Sequence, residues 1–179
     1  MDRLNERIPI FPFLTSRLEL VPIDRTHAID LFKVLNDPGL YTLTGDSPPK
    51  DVETLAARYE RWETRKSPDG SELWFNWVLR LRKNGGLIGH VQASVRSSQA
   101  DIAWTVGTRW QRCGYATEAA SAIREWLCEN GIVDIRASIN PCHIASIRVA
   151  EHLGLRRTTI SSGTELIWKL FIDDSETDR

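Results

Sequence analysis

The chain has 179 residues, 41% of them hydrophobic, and a formal net charge of −1. That length suits one folded unit over 1–179, since a single core commonly organises roughly 100–200 residues, and the hydrophobic share argues against global disorder. The balanced charge gives no electrostatic footprint for nucleic acid or an anionic membrane surface, and no apolar run approaches the ~20 residues that cross a bilayer.

Three cysteines, Cys113, Cys128 and Cys142, show no paired metal spacing and cannot all be bridged within one chain. They point to a reducing, cytoplasmic setting and to no metal. The opening residues Met1 to Glu6 lack the basic-then-apolar order of a signal peptide.

Residues 17–22 read as a short first strand. Asp24 is placed to cap a helix that runs to about Leu35, with Ile29, Leu31, Phe32 and Leu35 at helical spacing, and Asn36-Asp37-Pro38-Gly39 stops it. A polar loop spans Gly45 to Lys50. Asp51 then caps a second helix whose face carries Leu55, Tyr59 and Trp62, and Ser67-Pro68-Asp69-Gly70 closes it.

The period then changes. Residues 73–82 are rich in aromatic and β-branched types, Leu87 to Val95 alternates, and Asn84-Gly85 between them is a hairpin signal because it tolerates positive φ. With Ala100 to Val106 these predict a three-stranded antiparallel meander. A helix over about 115–129 follows, stopped by Asn130-Gly131. Next come a strand from Val133 to Ile139, a helix from His143 to Leu153, and a hairpin of 156–161 with 164–172. The charged tail, 173–179, is expected to fray. The order is β-α-α-β-β-β-α-β-α-β-β, an α/β fold with a mixed sheet of about seven strands.

Between the third strand of the meander and the next helix stand Gln111, Arg112, Cys113, Gly114, Tyr115 and Ala116. Small residues at 114 and 116 let backbone approach a bulky anion. The helix start offers unsatisfied N–H groups and a positive dipole end, and Arg112 adds charge. A tight packing turn explains such a junction equally well. No Lys-Ser or Lys-Thr follows the glycine, as a P-loop needs, and the three-glycine dinucleotide fingerprint is missing.

Gln-x-x-Gly-x-Ala followed by Thr117-Glu118-Ala119 resembles the acetyl-coenzyme A motif of the GNAT N-acetyltransferases. Two further blocks resemble their RimJ/RimL branch: Asn140-Pro141-Cys142-His143-Ile144-Ala145-Ser146 running on to Gly154-Leu155, and Thr15-Ser16-Arg17-Leu18-Glu19-Leu20.

The resemblance implies a GNAT fold whose fourth and fifth strands splay apart for the pantetheine arm. It implies transfer of an acetyl group from acetyl-CoA to a primary amine. The acceptor would be a protein N-terminus, or alternatively a small amine such as a polyamine, amino acid or antibiotic; a non-catalytic CoA-binding regulator is the remaining reading. By analogy alone it implies a homodimer.

It also assigns residues. The backbone of Trp104 and Val106 would pair with the pantetheine amides, and residues Gln111 to Thr117 would hold the pyrophosphate. Asn140 and His143 would meet the coenzyme, with His143 standing where the branch usually has Asn. Ser146 would donate a proton to the leaving thiolate, its plainer reading being a helix serine bonded back to a carbonyl; Asp101 would deprotonate the amine through water, an exposed strand-end aspartate being an equal reading. His90 and Asp46 are alternative bases. Glu118, in the first helical turn, has a structural reading.

Ala103 replaces a glycine common in the branch. Trp62 and Trp110 suit either the flank of the acceptor cleft or, more commonly for such rings, core or rim packing, while Trp126 and Trp168 fit core faces. The acidic Asp46, Asp51 and Glu53 suit either a cationic acceptor or a solvated loop. No histidine-plus-acid arrangement supports a cysteine nucleophile.

Overall fold

A computed structural model describes residues 8–171. In it the chain forms an eight-stranded sheet: β1 (Phe13–Leu14), β2 (Leu18–Pro22), β3 (Leu73–Leu81), β4 (Leu87–Arg96), β5 (Gln99–Val106), β6 (Asp134–Ile139), β7 (Leu155–Ser162) and β8 (Glu165–Leu170). Four helices join them: α1 (Ala28–Leu35), α2 (Val52–Glu63), α3 (Tyr115–Glu129) and α4 (Ile144–His152). The spatial order is β1-β2-β3-β4-β5-β6-β8-β7. The expected mixed sheet is present; β1, only two residues long, is the strand that periodicity missed. The tail over 173–179 lies outside the described residues, as does the last residue of the 164–172 strand.

Each element forms for a local reason. Asp24 accepts from the Thr26 N–H and opens a single 3-10 turn, Arg25–His27, before α1 proper. Asp51 caps α2 by accepting from Thr54 N at 2.7 Å. That uses its carboxylate at the helix start, so its role is structural. The β3–β4 hairpin turns at Lys83–Gly86, with Gly85 in the left-handed region at φ 74°.

The sheet separates two cores. On one side Phe75, Trp77 and Leu79 of β3 pack with Ala119, Ile123 and Trp126 of α3, and Trp126 meets the rings of Phe75 and Trp77 edge-on at 4.9 and 5.1 Å. On the other, Val78 packs with Leu31, Leu35, Leu55 and Tyr59 from α1 and α2. Strand alternation sends Val78 one way and its neighbours Trp77 and Leu79 the other. Trp168 is buried, as its core reading required.

The β5–β6 junction positions the site. All other neighbouring strands run antiparallel, but β5 and β6 are parallel and pair only at Gln99–Asp134, Ala100–Ile135 and Asp101–Arg136. Beyond Asp101 the two part. The expected splay is therefore present, and it opens just where Asp101 stands.

Candidate active site

The open edges can be oriented from the ladder. Gly107 N–H donates to Ile88 O at 2.8 Å, one step beyond the Gly89–Val106 pair. Alternate residues of a strand present their N–H and C=O to opposite sides. Thr105 and Ala103 therefore face β4, whereas Ile102, Trp104 and Val106 turn their backbone toward the gap beside β6. Trp104 matches its expected orientation. Val106 turns the same way, its N–H toward the gap, while its carbonyl accepts from Gln111 Nε2 at 3.1 Å. Gln111 likewise turns its amide back to the strand end and fixes the loop's exit.

The loop itself bends twice into the left-handed region, at Arg112 (φ 60°) and at Gly114 (φ 80°). Gly114 is the N-cap of α3 and offers no side-chain cap, so the first-turn N–H groups face outward from a bare helix start. Arg112 and Cys113 are exposed there, and Tyr115, Ala116 and Thr117 form the first turn.

This loop is braced from the turn that leads into β2, a feature the sequence reading did not assign. Arg17 donates from Nη1 to Cys113 O at 2.8 Å and from Nε to Glu118 Oε2 at 2.6 Å, and its guanidinium lies 4.5 Å from the centre of the Tyr115 ring. Glu118 also accepts from Thr15 Oγ1 at 2.6 Å and from Arg17 N at 2.7 Å. Burial works against its charge, but the bonds from Thr15 and Arg17 and the Arg17 charge prevail and hold the carboxyl below its ordinary range. The structural reading of Glu118 stands. The only hint of Arg17's part in the sequence was its place in the Thr15–Leu20 block.

Behind the strand gap lies a cavity of about 610 Å³. Its walls bring together Asp101, Trp104, Asn140, His143 and Ser146, together with Ala103 of β5. The loop residues 111–117 stand outside it, at the helix start. Asn140 Oδ1 accepts from Cys142 N at 2.9 Å, which shapes the turn into α4. His143 caps α4, its Nδ1 accepting from Ser146 N at 3.2 Å. The cap leaves Nε2 to carry the ring proton and so keeps a donor beside the cavity. Asp101 is exposed, holds Gln99 Nε2 at 3.1 Å and lies at the cavity edge.

The alternative bases divide. Asp46 lines the cavity. His90 lines it too, against Trp62 at 5.7 Å between ring centres, with its Nδ1 enclosed and without a partner. Burial, with a smaller push from Arg58, takes His90 down to about 4, which leaves it neutral at physiological pH and a weak proton acceptor.

Trp62 flanks the cavity as expected, but Trp110 does not: it lines a separate hollow of about 790 Å³ between α1, the β3–β4 turn and residues 107–110. That hollow shares no lining residue with the cavity that holds Ser146 and Asp101. The sequence reading also missed Tyr41, Arg58, Arg61 and Glu165, all in the cavity wall. Among the described residues the three cysteines are free thiols.

Residues 17–156 match the profile of a family described as the acetyltransferase (GNAT) domain. The chain belongs to that family. Over 80 residues it is 36% identical to a Bacillus subtilis protein named as the uncharacterized N-acetyltransferase YnaD, a match covering 43% of this chain and 47% of YnaD. The chain thus aligns with about half the length of that relative.

Solved structures share the GNAT fold over nearly their whole length. An acetyltransferase from Agrobacterium tumefaciens superposes with a TM-score of 0.72 at 20% identity, covering 96% of this chain and 100% of that one. The ribosomal-protein-S5-alanine acetyltransferase of Vibrio fischeri gives 0.70 at 16% identity, covering 92% and 98%. Among the described residues no helix is long and apolar enough to cross a membrane.

Proposed function

We propose that this GNAT-family chain is an acetyl-CoA-dependent N-acetyltransferase that moves the acetyl group to a primary amine by direct attack in a ternary complex. The observation that carries this reading is the juxtaposition of an uncapped α3 start at Gly114 with the parted β5 and β6. The pairing ends at Asp101–Arg136, while the free backbone of Trp104 faces the gap. A diphosphate needs the first feature and an amide-bearing arm needs the second. Bound acetyl-CoA supplies the activated thioester, and the family's use of it as cosubstrate supports the assignment.

The chain's own residues do the rest. The helix start and Arg112 receive the phosphates, and Trp104 and Asn140 align the arm. Holding amine and thioester together supplies much of the acceleration. Asp101, through water, takes a proton from the incoming ammonium. The amine nitrogen then bonds to the acetyl carbon as the carbon–sulfur bond breaks; the Ser146 hydroxyl donates a proton to the departing sulfur and is resupplied, through water, with the proton that the new amide nitrogen sheds. The similarity of fold to an S5-alanine acetyltransferase makes a protein N-terminus one acceptor worth assaying.

The test is acceptor-dependent thiol release from acetyl-CoA across an amine panel. Tight CoA binding with no release from any amine would make the chain a CoA-binding regulator instead. Gly114→Val places a branched side chain where φ is 80° and a Cβ would already stand 3.3 Å from Arg17 Nη2. It should weaken CoA binding at least tenfold, and near-native binding would show that the loop is wrongly assigned.

A further inference from the structure

The cavity behind the strand gap is lined by charges of both signs. Arg58 and Arg61 lie one turn apart on α2, on the face that also carries Trp62, and both reach the cavity wall. Asp46, from the loop before α2, and Glu165, at the start of β8, line the same cavity. Among the described residues none of these four takes part in an ion pair within 4.0 Å, although surface pairs such as Arg25–Glu60 and Arg96–Glu72 form readily elsewhere.

Arg58 is half-buried, donates no hydrogen bond within the described residues, and acts electrostatically on Tyr41, Tyr59 and His90. Beside it, the enclosed Nδ1 of His90 also lacks a partner. A guanidinium in a cavity wall with no protein partner is suited to a planar anion, to which it donates two parallel bonds. Burial pushes the Glu165 carboxyl up, and the Asp46 charge adds to it, as happens when two carboxylates share a space.

Resting on the acetyltransferase reading above, we infer that the acceptor is an amine that also bears a carboxylate, its ammonium group received between Asp46 and Glu165 and its carboxylate by Arg58 and Arg61. The positive wall disfavours polyamines, and the negative wall disfavours simple dicarboxylates. A volume of about 610 Å³ holds such a molecule together with the acyl end of the donor. Free amino acids and peptides with an acidic residue near the N-terminus share this chemistry.

The experiment compares kcat/KM for matched acceptors with the intact chain and acetyl-CoA: glycine and β-alanine against glycinamide and β-alaninamide, acidic short peptides against their side-chain amides, and spermidine. A carboxylate read by charge-assisted bonds should favour the acid of each productive pair by about 10- to 100-fold. The ratio should collapse toward one in Arg58→Met and persist in part in Arg58→Lys, with melting curves checking that both variants fold.

Preference among free amino acids assigns those as the source, and preference among peptides alone assigns an acidic N-terminal segment. Equal use of acid and amide by the unmodified chain, or faster use of spermidine, overturns the inference while leaving acetyl transfer intact. Absence of thiol release with every amine overturns both.

Discussion

Glu118→Gln tests whether the α3 start is held by charge. The carboxylate accepts from Thr15 Oγ1, Arg17 N and Arg17 Nε, all within 2.7 Å. Glutamine is nearly isosteric and can keep two of these through its carbonyl oxygen, but its amide then faces Arg17 Nε donor to donor. Arg17 is 46% exposed, so its ion pair is discounted to about 1 kcal/mol. Loss of a negative charge from the first helical turn costs about 0.5 kcal/mol. Turning two charge-assisted bonds into neutral ones costs about 0.5 kcal/mol each.

The sum is roughly 2–3 kcal/mol, which at ~2–4 °C per kcal/mol for a chain of this size lowers Tm by about 4–12 °C. Because Arg17 also holds Cys113 O, the released guanidinium should loosen residues 112–114 and weaken CoA binding by about tenfold. Calorimetric melting and CoA titration read the two effects. A Tm within about 2 °C of the parent and unchanged CoA affinity would refute the bracing role of Glu118.

Three other outcomes follow from the geometry. In Gly89→Ala the new Cβ would stand 2.0 Å from Thr105 O, so β4 or β5 must shift; a loss above about 3 kcal/mol is expected in urea denaturation, and a loss below 1 kcal/mol would contradict it. Ser146→Ala should lower kcat by about 10²-fold with the donor KM changed less than about threefold, whereas equal losses in both would make Ser146 a positioning residue. Glu118 is depressed in the folded chain, so its stabilisation is complete above the unfolded value near 4.5 and is lost as pH falls through the lower folded value. The Tm gap between parent and Glu118→Gln should therefore be full at pH 7 and close on acidification below about 4.5; a gap that persists at pH 2 would contradict the assignment.

Much of the architecture could be read from local chemistry. Asn84-Gly85 marked a tight hairpin because few other pairs accept its backbone angles, and the alternation of Leu87–Val95 set which side chains turn inward. α3 was bounded by Gly114 and Asn130 because its apolar face is continuous between them. β1 escaped notice because two residues cannot show a period. Arg58 and Arg61 were passed over because a helix pattern reveals its apolar face and leaves the polar side reading as solvent. Glu165 was hidden at a hairpin rim, since only the tertiary path of the Tyr41–Asp46 segment brings the opposite wall to it. Trp110 takes the packing role that aromatic rings more commonly have: it sits beside Gly107, whose added Cβ would stand 3.0 Å from its ring, and faces the other hollow.

The three residue pairs that join β5 to β6 have a thermodynamic consequence. Apart from the two-pair edge strand β1, they form the narrowest seam in the sheet, with five strands on one side and three on the other, so the core that α3 and α4 share with both blocks carries part of their cohesion. An extended ligand lying in the gap would hydrogen-bond to the exposed strand edge and suture the blocks along the rest of their length. Occupancy and rigidity then become one variable: at about a hundredfold excess over Kd, such a ligand adds about 2.7 kcal/mol to the stability of the whole chain. The amide of Trp104 would pass from solvent exchange to protection in the same step. Donor binding would thereby stiffen the wall against which the acceptor must be aligned, giving the fold a mechanical reason for the donor to enter first.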